Sequence, residues 1–148
     1  MMQKLVEREK DNNPIKVGFI GAGMFNSMTI NQVARVPGIR VSIIADVVKK
    51  KATDAYLRMG YQGREIVEVR DVDTANHYIE KTAPVITDRS EILIESDIDV
   101  ILEATGNAEV GARNAFNAIE SRKNIVMATV ETDVVVGPIL EKWLRKLV

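Results

Sequence analysis

The sequence predicts an α/β domain wound as a doubly wound, mostly parallel sheet. Three observations carry that expectation. Short apolar runs recur along the chain: Val17-Gly18-Phe19-Ile20, Val41-Ser42-Ile43-Ile44-Ala45, Val100-Ile101-Leu102 and Ile125-Val126-Met127. Each is too short for a helix and suits a strand covered on both faces. These runs alternate with longer segments of helical pattern, the order from which parallel sheets are built. The first run ends in Gly21-Ala22-Gly23 and passes into a helical segment and a second strand. That is a strand-turn-helix-strand unit of roughly thirty residues.

At 148 residues the chain is one domain by size and long enough for a hydrophobic core. Hydrophobic residues make up 46% and charged residues 28%, an ordinary composition for a globular domain. The net charge is -1 and basic residues are interspersed with acids, so no nucleic-acid face is expected. Cysteine is absent, which excludes disulfides, thiolate metal sites and cysteine nucleophiles. His77 is the single histidine, so a multi-histidine metal site is excluded and no metal is expected. No apolar run approaches the length of a membrane span, and the first residues lack a signal-peptide core. No membrane partner is expected, and the cytoplasm is the expected location.

Residues 1–12 mix Leu5 and Val6 with charges and favour helix, stopped by Asn13-Pro14. Residues 1–14 are therefore expected to form an arm, either packed on the sheet edge or frayed, ahead of a domain over 15–148. The first strand is expected at 15–20. The first helix follows at 24–36, with Met24, Met28, Val33 and Val36 facing inward and Pro37-Gly38 as the stop. The second strand ends at Asp46, and a second helix over 49–59 closes at Gly60. Ile66 to Val69 reads as a short strand or an extended loop. Residues 71–81 read as a helix capped by Asp71 or Asp73. Next come a strand at 84–87, a short helix at 88–94, a strand at 99–103 and a helix at 108–121 on an apolar face of Val110, Ala115, Ala118 and Ile119. The last strand is expected at 124–128. A terminal helix is expected at 137–147, with Pro138 in its first turn and Trp143 as a packing residue.

The glycine turn carries the first functional reading. Gly21 allows a tight turn, and Gly23 lets backbone N–H groups approach a pyrophosphate with no Cβ in the way. The helix that follows offers its first amides and positive dipole end to phosphates. The third glycine of the usual G-x-G-x-x-G pattern is Asn26 here, so the helix is expected slightly further from the strand. A glycine turn after a strand also occurs as a purely structural device. Asp46 ends the second strand, where a carboxylate takes the adenosine ribose hydroxyls of NAD and repels a 2′-phosphate. The plainer reading is a turn or helix-capping aspartate. Lys49, Lys50 and Lys51 either hold a 2′-phosphate or form a solvated face. The balance favours NAD over NADP.

Glu103-Ala104-Thr105-Gly106 follows a later strand on the same sheet edge, and its small residues give a nicotinamide and ribose room to lie across the strand ends. An ordinary strand-to-helix turn is the alternative. Thr129, Glu131 and Asp133 follow the last strand on that edge. Glu131 is the candidate base or polar anchor, against a solvated loop carboxylate. His77 is read as a surface or turn residue.

Three stretches together resemble a known group. They are Pro14-Ile15-Lys16-Val17-Gly18-Phe19-Ile20-Gly21-Ala22-Gly23 with Val36-Pro37-Gly38-Ile39-Arg40-Val41, then Asp99-Val100-Ile101-Leu102-Glu103-Ala104-Thr105-Gly106, and Lys123-Asn124-Ile125-Val126-Met127-Ala128-Thr129-Val130-Glu131-Thr132-Asp133-Val134-Val135-Val136-Gly137-Pro138. The chain resembles the N-terminal Rossmann-type NAD(P)-binding domain of homoserine-dehydrogenase-like oxidoreductases that carry a SAF domain. That branch includes the second type of 1-deoxy-D-xylulose 5-phosphate reductoisomerase. The resemblance implies that Gly21, Ala22, Gly23, Met24, Phe25 and Asn26 meet the pyrophosphate, Asp46 the adenosine ribose, and Ala104, Thr105 and Gly106 the nicotinamide side. Thr129 stands where relatives often have asparagine, and Ala128-Thr129-Val130 lacks the lysine of homoserine dehydrogenases.

The expected activity is hydride transfer on a small hydroxy or carbonyl compound, phosphorylated or not. The resemblance places the substrate and catalytic residues in a domain outside this sequence, so this chain alone is expected to bind cofactor without catalysis. Two rivals stand beside it: a nucleotide-sensing module with no reaction, and a fragment that pairs with a partner subunit. Homo-oligomerisation through a sheet edge is open.

Overall fold

The computed structural model describes residues 2–147. The chain runs α1 (Met2–Lys10), β1 (Ile15–Ile20), α2 (Met24–Val33), β2 (Ile39–Ala45), α3 (Lys49–Arg58), a 3₁₀ turn (Gly63–Glu65) and β3 (Val67–Glu68). It continues through α4 (Val72–Glu80), β4 (Val85–Thr87), α5 (Ser90–Glu95), β5 (Val100–Glu103), α6 (Ala108–Glu120), β6 (Asn124–Met127) and α7 (Val130–Leu147). The strands form one six-stranded sheet in the order β3-β4-β2-β1-β5-β6. Every pairing is parallel. The short Ile66 to Val69 segment, open between strand and loop in the sequence, pairs with β4 through Val67 and Glu68.

The sheet is apolar on both sides because both sides are covered. Ile43 and Ile44 are adjacent in β2, both fully buried, and belong to opposite core clusters. One cluster sets Phe19, Val41 and Ile44 against Ile30 of α2 and Ala52, Ala55 and Tyr56 of α3. The other sets Ile20, Ile43, Val85 and Ile101 against Ile79 of α4, Leu93 of α5 and Ala118 of α6. Tyr56 is fully buried with its ring edge-on to Tyr61 at 5.5 Å. Burial pushes its phenol well above the ordinary range.

Local signals set the helix ends. Asp71 accepts the Thr74 N–H at 2.7 Å, which caps α4 and holds the carboxyl below its ordinary range. Asn107 caps α6 by accepting from Val110 at 3.0 Å. The arm helix α1 has no buried residue and touches the body through Glu9, which accepts the Gly38 N–H at 2.7 Å.

Two expectations are corrected. Met24 and Met28 do not face inward; they are 87% and 65% exposed, and the buried residues of α2 are Asn26 and Ile30, with Val33 packed against the same core as expected. The terminal helix begins at Val130, so Pro138 lies inside it and not in its first turn. Thr132 explains the early start: its buried hydroxyl donates to Ala108 O at 3.2 Å, and this docks the first turn of α7 on α6. Tertiary anchoring here outweighs the loss of one helical hydrogen bond at proline. The side chains of Trp143 and Asp133 lie outside the described residues. No described helix is long and apolar enough to cross a membrane.

Candidate functional site

The strand order reverses about β1: the chain winds toward β2 and β4 on one side and toward β5 and β6 on the other. Ligands of open parallel sheets bind at the carboxyl ends of strands at such a reversal. Ile20 is level with Ala45 on one side and Glu103 on the other, so the loops after β1, β2 and β5 converge there.

Gly21 makes the first turn possible. Its φ is +85°, and a Cβ there would sit 2.9 Å from the carbonyl oxygen of Ala104. Glycine is therefore required both by backbone conformation and by the approach of the β5 loop. Gly23 is different: a Cβ on it would meet nothing within 4 Å. It begins α2 in extended conformation with no side-chain cap, so the helix presents its first-turn N–H groups to open space. Met24 and Phe25 are exposed beside this opening.

Asn26 replaces the third glycine without loosening the turn. Its side chain is fully buried, and its amide donates to Ile20 O at 3.2 Å and to Gly21 O. The amide thus clamps the start of α2 to the end of β1. This sets the helix rotation that turns Met24 and Met28 outward. Its Oδ1 has no hydrogen-bond partner.

Asp46 is tied into the same turn. Its Oδ2 accepts the Ala22 N–H at 2.7 Å and its Oδ1 accepts the Val48 N–H at 2.8 Å. It does not cap α3, whose N-cap position is taken by Val48 with no side-chain cap. Two of the three lysines after it are paired, and Lys51 is exposed. Lys49 pairs with Glu68 at 2.7 Å and approaches Asp88 at 4.0 Å, and Lys50 pairs with Asp54 at 2.7 Å.

On the other side of β1, Ala104 donates its N–H to Ile20 O at 3.0 Å. Gly106, at φ +71°, donates to the hydroxyl of Thr129 at 3.3 Å. The stretch from Glu103 is named in the sequence reading, but only Ala104, Thr105 and Gly106 are given a role there. Glu103 is fully buried, and its Oε1 accepts both the N–H of Thr105 at 3.0 Å and the Thr105 hydroxyl. Glu131 lies in the first turn of α7, exposed to solvent and not in a loop. His77 is an exposed residue of α4 with its ring edge-on to Tyr78. It lines a cavity of about 700 Å³ with Lys16, Arg40 and Asp97. That cavity lies at the amino edge, away from the strand reversal, and its Lys16 and Asp97 neutralise each other in an ion pair. Among the described residues no group of acids and histidine is arranged to hold a metal.

Solved structures share this architecture. The fold is the Rossmann-type one. GenD2 from gentamicin A biosynthesis, in complex with NAD, superposes at TM-score 0.56 with 15% identity over 77% of this chain and 26% of its own. The myo-inositol dehydrogenase of Lactobacillus casei, in complex with NAD(H) and myo-inositol, gives TM-score 0.52 and 18% identity over 77% of this chain and 28% of its own. An NAD-binding protein from Listeria innocua gives 0.57 and 16% over 88% and 33%. The chain therefore spans about a quarter to a third of the length of these neighbours. No protein-family model and no curated protein matches the chain.

Proposed function

We propose that this chain is the NAD-binding part of an oxidoreductase, in the homoserine-dehydrogenase-like branch that carries a SAF domain. Residues 1–14 serve as an arm and residues 15–148 as the cofactor domain, with the substrate handled by a domain beyond the part matched here. One observation carries the cofactor part of this reading: Asp46, at the end of β2, is bonded to the amide of Ala22 in the glycine turn. On this reading, the ribose acceptor and the phosphate-binding turn form one unit. The binding of dinucleotides by neighbours of the same fold supports it.

The residues fit the cofactor. Open space at Gly23 and the uncapped start of α2 suit a pyrophosphate. Gly23, Met24 and Phe25 would offer backbone N–H groups to it, while Asp46 keeps a lone pair on each oxygen for ribose hydroxyls. Thr105 and Gly106 would border the nicotinamide half. The cofactor, when bound, supplies hydride chemistry at its nicotinamide ring, and the chain's own part is to bind, orient and shield it.

Titration calorimetry tests the reading. NADH should bind more tightly than NADPH. Asp46→Ala should weaken NADH by about tenfold, the loss of a charge-assisted hydrogen bond, and narrow the preference between the two. Failure of the unaltered chain to bind either dinucleotide would overturn the proposal.

A further inference from the structure

The carboxylate of Glu103 has no role in the reading so far. We infer that Glu103 is a positioning residue: from beneath the sheet edge it fastens the Thr105-Gly106 loop in the shape that receives the nicotinamide half of the cofactor. This rests on the dinucleotide reading above.

Glu103 is the last residue of β5, level with Ile20 of β1 and Met127 of β6, and its side chain is fully buried. A buried acid ordinarily finds partners for both oxygens. Here one oxygen does two jobs and the other none. Oε1 takes the Thr105 N–H at 3.0 Å together with the Thr105 hydroxyl, whereas Oε2 has no hydrogen-bond partner.

Space has been left for that second oxygen. Gly111 lies inside α6, and a Cβ there would come within 3.1 Å of Oε2 and 2.5 Å of the Thr132 hydroxyl. A glycine in a helix interior is unfavourable on its own account, so the helix gives up stability to accommodate the carboxylate and α7 side by side. A leucine or an alanine in place of Glu103 would leave no buried orphan oxygen. The arrangement makes sense if the bonds to Thr105 are what the position is for.

Those bonds control a loop with few other ties. Thr105 Oγ1 accepts from the Asn107 N–H at 3.4 Å, and Gly106 reaches Thr129 at 3.3 Å, both long contacts. The loop also touches the glycine turn, where Ala104 O crowds Gly21. The two strands beside β1 end alike: Asp46 fastens Ala22 on one side, and Glu103 fastens Thr105 on the other.

The test compares Glu103→Leu and Glu103→Gln with the unaltered chain by calorimetric titration with NADH and with ADP, which lacks the nicotinamide half. Amide hydrogen exchange at Thr105 and Gly106 is read alongside. Glu103→Leu should weaken NADH about tenfold, the loss of hydrogen bonds to a carboxylate. It should leave ADP within about twofold and speed exchange at both amides. Glu103→Gln keeps an acceptor for the Thr105 N–H and should restore NADH affinity to within severalfold. Should the leucine variant fail to fold, Thr105→Val deletes the hydroxyl side of the same contact from a half-exposed position, with the same NADH-against-ADP contrast expected. Equal losses of NADH and ADP, or unchanged NADH affinity with unchanged exchange, would overturn the role of Glu103. If the unaltered chain binds neither ligand, the dinucleotide reading itself falls and takes this role with it. Normal ADP and NADH binding in the unaltered chain isolates Glu103 as the point of failure.

Discussion

Restoring the missing glycine of the turn, Asn26→Gly, should damage this protein. The sequence pattern alone argues the opposite, since glycine is the usual residue there. In the structure the Asn26 amide is the hydrogen-bond partner of Gly21 O, and it also reaches Ile20 O at 3.2 Å. Ile20 O keeps a second donor, the Ala104 N–H at 3.0 Å, so its loss is small. Gly21 O loses its clamp, at about 1–3 kcal/mol for a buried unpaired carbonyl. Backbone entropy adds about 0.5–1 kcal/mol. Removing the orphan Oδ1 of Asn26 returns about 1 kcal/mol. The net is a loss of about 2 kcal/mol, or roughly 4–8 °C in Tm for a domain of this size. Thermal unfolding by circular dichroism and an NADH titration read the outcome. Asn26→Asp sharpens it, because a carboxylate facing two carbonyl oxygens should cost more than glycine at neutral pH. Unchanged or higher stability of Asn26→Gly with undiminished NADH affinity would refute the clamp.

Gly111→Ala sets two effects against each other. Helix propensity gains about 1 kcal/mol, but a Cβ at 2.5 Å from the Thr132 hydroxyl overpacks by about 1–3 kcal/mol. Urea denaturation should show a net loss of about 1 kcal/mol; a gain would mean that α6 and α7 are less tightly docked than described. Acid stability should register Asp97, whose hydrogen bond from Lys16 holds its carboxyl below the ordinary 3.8. A depressed folded value contributes stability that is present above the ordinary carboxylate range and is lost as pH falls through the folded value. The carboxylate is mostly exposed and its pair screened, so Asp97→Asn should lose at most about 1 kcal/mol at pH 7. That difference should vanish in strong acid, and a constant difference across pH would refute it.

The sheet was legible because its signal is local. Strands of four to seven residues such as β2 and β5 announce themselves as apolar runs closed by an acid, and the unit from Ile15 to Ala45 follows from Gly21, Pro37 and Gly38. The errors arose where a distant partner decides. Met24 and Met28 read as core because they are apolar, yet the rotation of α2 is set by a polar side chain reaching back to β1. Gly137-Pro138 read as a helix start, yet α7 starts at Val130 because Thr132 finds Ala108 on α6. Glu103 receives no role from the sequence since its burial depends on α6 and α7, which no local pattern reveals. A retrospective signal exists: Glu103 and Thr105 stand two residues apart at a strand end, as Asp46 and Val48 do, the spacing at which a carboxylate takes a backbone N–H.

That spacing also bears on cofactor choice. The lysines after Asp46 suggest a positive mouth that would welcome a 2′-phosphate, but ion pairs redirect two of the three, Lys49 and Lys50. Lys49 turns to Glu68 and Asp88 and Lys50 to Asp54, so their charge is spent on α3 and its neighbours. Exposed pairs of this kind are individually weak, and a phosphate would compete for them if nothing opposed it. Asp46 opposes it. Both of its oxygens are fixed by backbone amides before any ligand arrives, so the carboxylate cannot swing aside at no cost. A neutral ribose diol would find two preset acceptors there, while a 2′-phosphate would meet an anion held in place by the glycine turn proposed to receive the pyrophosphate. Relieving that repulsion would mean unfastening Ala22, and thus the glycine turn itself. On the proposed reading, selectivity for NAD and integrity of the glycine turn would rest on one carboxylate, and a variant that admits NADPH by replacing Asp46 should also bind every dinucleotide less well.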